Sequence, residues 1–310
     1  MTAYAPDDGS LDLQGPLEAP GAAARSALLA AATRARAPRT SLLRAERLHP
    51  GEAHRRQWEE LAELLAELSP ADWSAVTSMD VTVHELVAHL VAQHRWIARS
   101  LFHAGHFVAP PGTEHDHWAL SWPTIERLRT QPVADAVAEL AAACALVIDV
   151  ATAMAEDGWS AGTLPLSDVF AARTFELWIH TDDIRRSTGR PLRDPDAPRL
   201  DRLCRLAASF TPLGMAIAGR THDGKTMRLV LTGSGGGTWV QPLGVSGPPS
   251  EQAGAGAGAD ADADVTIVAD GARFCRVAGK LFGLHELDAE VEGDAALVDD
   301  VLAGVRAFAE

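Results

Sequence analysis

The residues in this chain best placed to do chemistry lie in the run Phe175-Glu176-Leu177-Trp178-Ile179-His180-Thr181-Asp182-Asp183-Ile184. In a helix, at about 100° per residue, Glu176, His180 and Asp183 leave one face within an arc of roughly 60°. A carboxylate and an imidazole one turn apart can reach a single cation. A second imidazole, His89, stands between Ala88 and Leu90 on the apolar side of an earlier helical pattern, where a buried ring needs a partner. Two histidines and a carboxylate suit zinc, and three protein ligands leave a fourth position for water or substrate, the pattern of a catalytic site. Asp183 would orient His180 by accepting its other N–H. The plain alternative makes Glu176 and His180 an i,i+4 surface pair and His89 a core histidine.

Other reactive side chains carry weaker signals. His103 and His106 close a helix, where cationic groups meet the dipole favourably. His115, His117 and Trp118 fall in a Gly/Pro-rich stretch that could border a pocket. The cluster from Gly233 to Gly237 follows a strand, but no helix start or P-loop lysine comes after it, so it reads as a hairpin turn. Cys144, in an Ala-rich helix, reads as a small apolar residue. Cys144, Cys204 and Cys275 are odd in number and far apart, which argues against a disulfide framework and fits a reducing cytoplasm.

The elements that must hold these groups are mostly helical. Hydrophobic residues make up 47% of the 310 residues, and Ala and Leu dominate them. The formal charge of −15 disfavours nucleic acid and anionic membrane as partners; a small-molecule substrate is the expected one. No export signal and no membrane segment is read at the N-terminus, where Asp7, Asp8 and Asp12 stand in place of a basic region. Residues 1–50 read as a poorly ordered extension with a possible short helix near 25–36. Helices are expected from about Arg55 to Ser69-Pro70, from Thr82 past Ile97 with Glu85 completing a capping box, from Val133 to Met154, and from Ser167 to Ser187 before Gly189. Residues 104–123 read as a loop. The four helices suggest an antiparallel four-helix bundle over 51–195. A small α+β domain is expected over 196–310: a helix at Leu200–Ile217, strands at 227–232, 238–241, 265–268 and 289–291, helices at 271–279 and 295–308, and a Gly/Ala/Asp-rich loop at 246–263.

Two segments resemble a known family. Val81 to Leu90 is similar to a helix of the DinB-like superfamily, and more closely of the mycothiol-dependent maleylpyruvate isomerase family, in which the histidine equivalent to His89 binds a metal. Glu176 to Ile184 is similar to that family's E-x-W-x-H-x-x-D-I segment, whose glutamate and histidine supply two more ligands. The stretch from Ala263 to Ile267, with Phe274 and Glu292-Gly293-Asp294, resembles the sterol-carrier-like domain often attached to such bundles. The resemblance implies a divalent metal, zinc foremost, on His89, Glu176 and His180. It also implies a low-molecular-weight thiol, mycothiol, that adds to a small electrophilic acid and either leaves after bond rotation (an isomerase) or stays (a transferase). An arginine or lysine of the C-terminal domain, with Arg273, Arg276 and Lys280 as candidates, would hold the substrate carboxylate. Two alternatives stay open: a thiol-independent metal hydrolase or lyase, and a non-catalytic small-molecule or lipid-binding protein.

Overall fold

The computed structural model describes residues 48–104, 118–154, 160–161, 164–244 and 263–307. Most of the expected 1–50 extension, its possible short helix and the 246–263 loop lie outside them. The described chain is mainly helical, with one small four-stranded sheet.

Helix α1, Pro50–Ala66, starts five residues before the expected Arg55. Proline occupies its first turn, where no N–H is needed, and His49 accepts from the Gly51 N–H at 3.2 Å. Helix α2 is Val83–Ala104. Its start follows the expected capping box: the Thr82 N–H donates to Glu85 at 2.9 Å, and the Glu85 N–H donates to the Thr82 hydroxyl at 3.2 Å. A short helix α3, Trp122–Leu128, occupies the end of the stretch read as loop, with Pro123 in its first turn. Helix α4 spans Val133–Met154, as expected. It is long and apolar enough by length and composition to cross a membrane, but here it packs with α1 and α2 and buries Leu140, Cys144, Val147 and Val150.

After a two-residue hairpin, β1 Ser160–Ala161 with β2 Leu164–Pro165, helix α5 runs over Leu166–Ser187. Gly189, at φ +70°, ends it: the Arg190 N–H reaches back to the Arg185 carbonyl at 2.7 Å, a closure that needs a left-handed residue. Helix α5 is buried on most of its circumference. Leu177 and Ile184 join the core of α1, α2, α3 and α4, while Phe175, Trp178 and Ile179 join a second core with the sheet and the later helices. An alternating polar and apolar face cannot show in a helix covered on both sides.

Helix α6, Ala197–Ile217, is capped by Asp196. The sheet has the order β4-β3-β5-β6, with β3 Thr226–Thr232, β4 Gly237–Pro242, β5 Val265–Asp270 and β6 Glu290–Gly293. Strand β3 is antiparallel to β4 and parallel to β5, and β6 is antiparallel to β5. The glycine run after β3 is the expected hairpin turn. Helices α7, Gly271–Ala278, and α8, Ala295–Ala307, complete this region.

Candidate metal centre

Helices α2 and α5 bring His89, Glu176 and His180 together. One donor atom from each lies within 4.8 Å of the others. His89 Nε2 is 3.4 Å from a Glu176 oxygen, and the two imidazoles meet edge to face with centroids 5.4 Å apart. His89 is 1% exposed and His180 9%, while the Glu176 side chain keeps 16%, so the cluster is almost enclosed. The i,i+4 spacing of Glu176 and His180 therefore points inward rather than to solvent.

Three residues that sequence spacing left out or weighed lightly shape the cluster. Trp118, weighed with His115 and His117, stacks on His89 at 4.3 Å between centroids and 29° between planes, and is followed by Trp122 at 5.9 Å. His115 and His117 lie outside the described residues, as do His106 and the side chain of His103. Arg173, one turn before Glu176, forms an ion pair with it, and its buried Nε has no hydrogen-bond partner among the described residues. The i−3 spacing of Arg173 was the available signal. Burial alone would push the Glu176 carboxyl up; Arg173, then His89 and His180, outweigh it and hold the group well below the usual carboxylate range. It is an anion poised for a cation. Ser78 is the third: its N–H and hydroxyl donate to the two Asp183 oxygens at 3.0 and 2.9 Å. The hydrogen bonds shown for Asp183 thus tie α5 to the turn before α2.

The basic residues expected from the C-terminal region part company. Arg276 is buried in a clamp. It donates to Asp182 at 2.7 and 2.9 Å, pairs with Asp194 at 2.8 Å, and lies over the Trp178 ring at 5.1 Å. Trp178 and Asp182 project from the far side of α5, more than about 100° round from Glu176 and His180, which corrects Arg276 from site residue to a link between α5 and α7. Arg273 is exposed and donates to the Glu286 carbonyl at 3.2 Å, bracing a turn. Lys280 is half-buried at φ +60°, and the preceding Gly279 packs on Ile179 so tightly that a Cβ there would lie 2.6 Å from it. Arg276 and the Lys280 turn both meet α5, Arg276 at Asp182 on the face away from His180 and the turn, through Gly279, at Ile179.

Behind the cluster, His54 of α1 and His94 of α2 are fully buried with centroids 5.1 Å apart. Burial holds His54 well below its usual pKa and pushes His94 down to about 4, so both rings are neutral. A surface groove of about 440 Å³ near Leu68, Trp73 and His84 contains none of these groups.

Residues 54–185 match the family model described as the mycothiol maleylpyruvate isomerase N-terminal domain. Two solved structures share the fold. One is the mycothiol-dependent maleylpyruvate isomerase, 18% identical, and the other a histidine-to-alanine mutant of the mycothiol-dependent maleylpyruvate isomerase, 16% identical; each comparison covers 78% of this chain and 91% of the other, with a TM-score of 0.50. No curated protein sequence matches at a significant level. His89, Glu176 and His180 all fall within the stretch that is similar to the mycothiol maleylpyruvate isomerase N-terminal domain family.

Proposed function

We propose that this chain is a metal-dependent enzyme that uses a low-molecular-weight thiol, mycothiol in the first instance, to isomerise a small electrophilic acid. The carrying observation is the convergence of His89, Glu176 and His180 from two helices into one nearly enclosed cluster. The donor set fits a divalent ion: a carboxylate held ionised and two imidazoles, three protein ligands in all, with zinc the best match to N and O ligands in this number. Such an ion, when bound, supplies charge that lowers the pKa of a thiol in the fourth position. The family of residues 54–185 and the names of the two solved relatives favour the thiol-using reading over a hydrolase or a carrier.

The chain's own groups do the rest. Trp118 covers His89 and keeps water from that side of the cluster. Arg173 stands beside Glu176 with donors to spare, and takes over the role sought in Arg276: holding a substrate carboxylate, with Lys280 as the second candidate. We read α1, α2, α4 and α5 as the antiparallel four-helix bundle of 51–195, and 196–310 as the attached α+β domain. We take the setting to be cytoplasmic and reducing.

Elemental analysis of the purified chain tests the reading. Loss of one ion per chain relative to the wild type, in His89→Ala and in His180→Ala, is the expected result, followed by isomerase activity that depends on added thiol. A wild-type chain that stays metal-free after incubation with zinc refutes the site. Metal-dependent turnover indifferent to thiol refutes the cosubstrate.

A further inference from the structure

A second group of donors lies deeper in the helical region. His54 comes from α1, His94 from α2 and Cys144 from α4; all three are buried, and one donor atom from each lies within 4.8 Å of the others. Hydrogen bonds decide which ring nitrogens are available. His94 Nδ1 is 2.8 Å from the Leu90 carbonyl, which can only accept, so Nδ1 carries the proton. The Thr174 hydroxyl donates its single hydrogen to the Phe170 carbonyl at 2.9 Å, so at 3.3 Å it accepts from His54 Nδ1, which is protonated too. Both Nε2 atoms are then bare lone pairs, and among the described residues neither has a hydrogen-bond partner. A metal-binding histidine is held in this way, its other N–H given to a carbonyl or hydroxyl oxygen. The Cys144 thiol has one weak donor hydrogen and can satisfy at most one of the two.

We propose that His54, His94 and Cys144 form a second metal site, for zinc or another borderline-soft divalent transition ion. It is distinct from the His89, Glu176 and His180 cluster and independent of that cluster's assignment. One cation between the three donors satisfies both lone pairs at once and ties α1, α2 and α4 together. Donors around a tetrahedral zinc stand about 3.3–3.8 Å apart, so the three side chains need draw in by at most about 1.5 Å from their present separations of 4.8 Å or less, within reach of small rotations about their χ angles. Imidazole and thiolate exclude magnesium and calcium, which require oxygen. Binding displaces the Cys144 proton to solvent, one per ion, since only the thiolate is a ligand.

Cobalt(II) titration of the metal-free full-length chain tests this. A thiolate-to-cobalt charge-transfer band in the near ultraviolet is expected with one equivalent of ion. It disappears in Cys144→Ala while the visible bands of the other equivalent remain, and it persists in His180→Ala, which removes a ligand of the first cluster only. X-ray absorption of the zinc-loaded wild-type chain, which needs no variant, should show one sulfur at about 2.3 Å at the thiolate-bearing ion. The absence of a charge-transfer band or of sulfur in the folded wild-type chain overturns the proposal, as does a band that survives in Cys144→Ala, where Cys204 or Cys275 would be its source.

Discussion

Replacing Asp182 by Ala tests whether Arg276 is structural. The Asp182 side chain is 1% exposed and that of Arg276 6%. Asp182 accepts twice from Arg276, at 2.7 and 2.9 Å, and once from the Arg193 N–H at 3.1 Å. Burial raises the Asp182 carboxyl above its usual value in spite of Arg276, the sign of a desolvation cost that the pair only partly recovers. Taking away one member of a buried pair costs about 3–5 kcal/mol. Here Asp194 stays within 2.8 Å of the guanidinium, and its side chain is 60% exposed and can follow it, so the loss should sit near the lower end, about 3 kcal/mol. At roughly 2–4 °C per kcal/mol, thermal unfolding followed by circular dichroism should move down by about 6–12 °C. The double variant Asp182→Asn with Arg276→Met, which neutralises both members, should recover most of that loss. Metal content should be unchanged in both, because Asp182 faces away from His180. A single-variant loss under about 1 kcal/mol would refute the clamp. So would a stable, metallated double variant that has lost all turnover, since Arg276 would then act in the chemistry.

Three further outcomes follow from other parts of the fold. Paramagnetic cobalt or copper bound between His89, Glu176 and His180 should quench Trp118, which stacks on His89; with eight tryptophans in the chain, the quench should fall in Trp118→Phe by up to about an eighth of total emission, and equal quenching in both would place the ion elsewhere. Glu139 takes hydrogen bonds from Arg127 of α3 and Arg95 of α2, at 2.6–2.7 Å, which hold its carboxyl below the ordinary 4.5. Its contribution is therefore complete above that pH and lost as pH falls through the lowered value, so acid unfolding curves of Glu139→Gln should be flatter below about pH 4.5; curves that superimpose would show that the bridge contributes nothing. Gly235 sits at φ +75° in the β3–β4 turn, where a Cβ would come within 2.5 Å of the Ala197 carbonyl and the Asp201 N–H. Gly235→Ala should cost more than the about 1–2 kcal/mol of a left-handed alanine, because the start of α6 must move, and a loss of a few tenths in denaturant unfolding would contradict that close approach.

Much of the local structure was legible in the sequence because short-range chemistry writes it. The Thr82–Glu85 capping box, the stop at Gly189, the Val133–Met154 limits and the strands around the glycine turn follow from caps, turn residues and periodicity, which act within a few residues. The spacing of Glu176 and His180 was legible for the same reason, and His89 stood out as an imidazole in an apolar run. The start of α1 at Pro50 and the helix at Trp122 were not, since each rests on one proline and on packing across the chain.

What only the tertiary structure decided is which side chains share a space. A helix wheel places Arg173 and Asp183 near the ligand face but cannot assign one to Glu176 and the other to Ser78. Nor can it put Trp118 on His89, 29 residues away in sequence. Arg276, Arg273 and Lys280 are equally basic in sequence; one lies buried against Asp182, one braces an exposed turn and one abuts α5. The meeting of His54, His94 and Cys144 depends on three helices and on two Nδ1 hydrogen bonds, and no spacing within a single helix encodes it. Sequence sets what each residue can donate, accept or bind, whereas long-range packing sets what it has left to bind with.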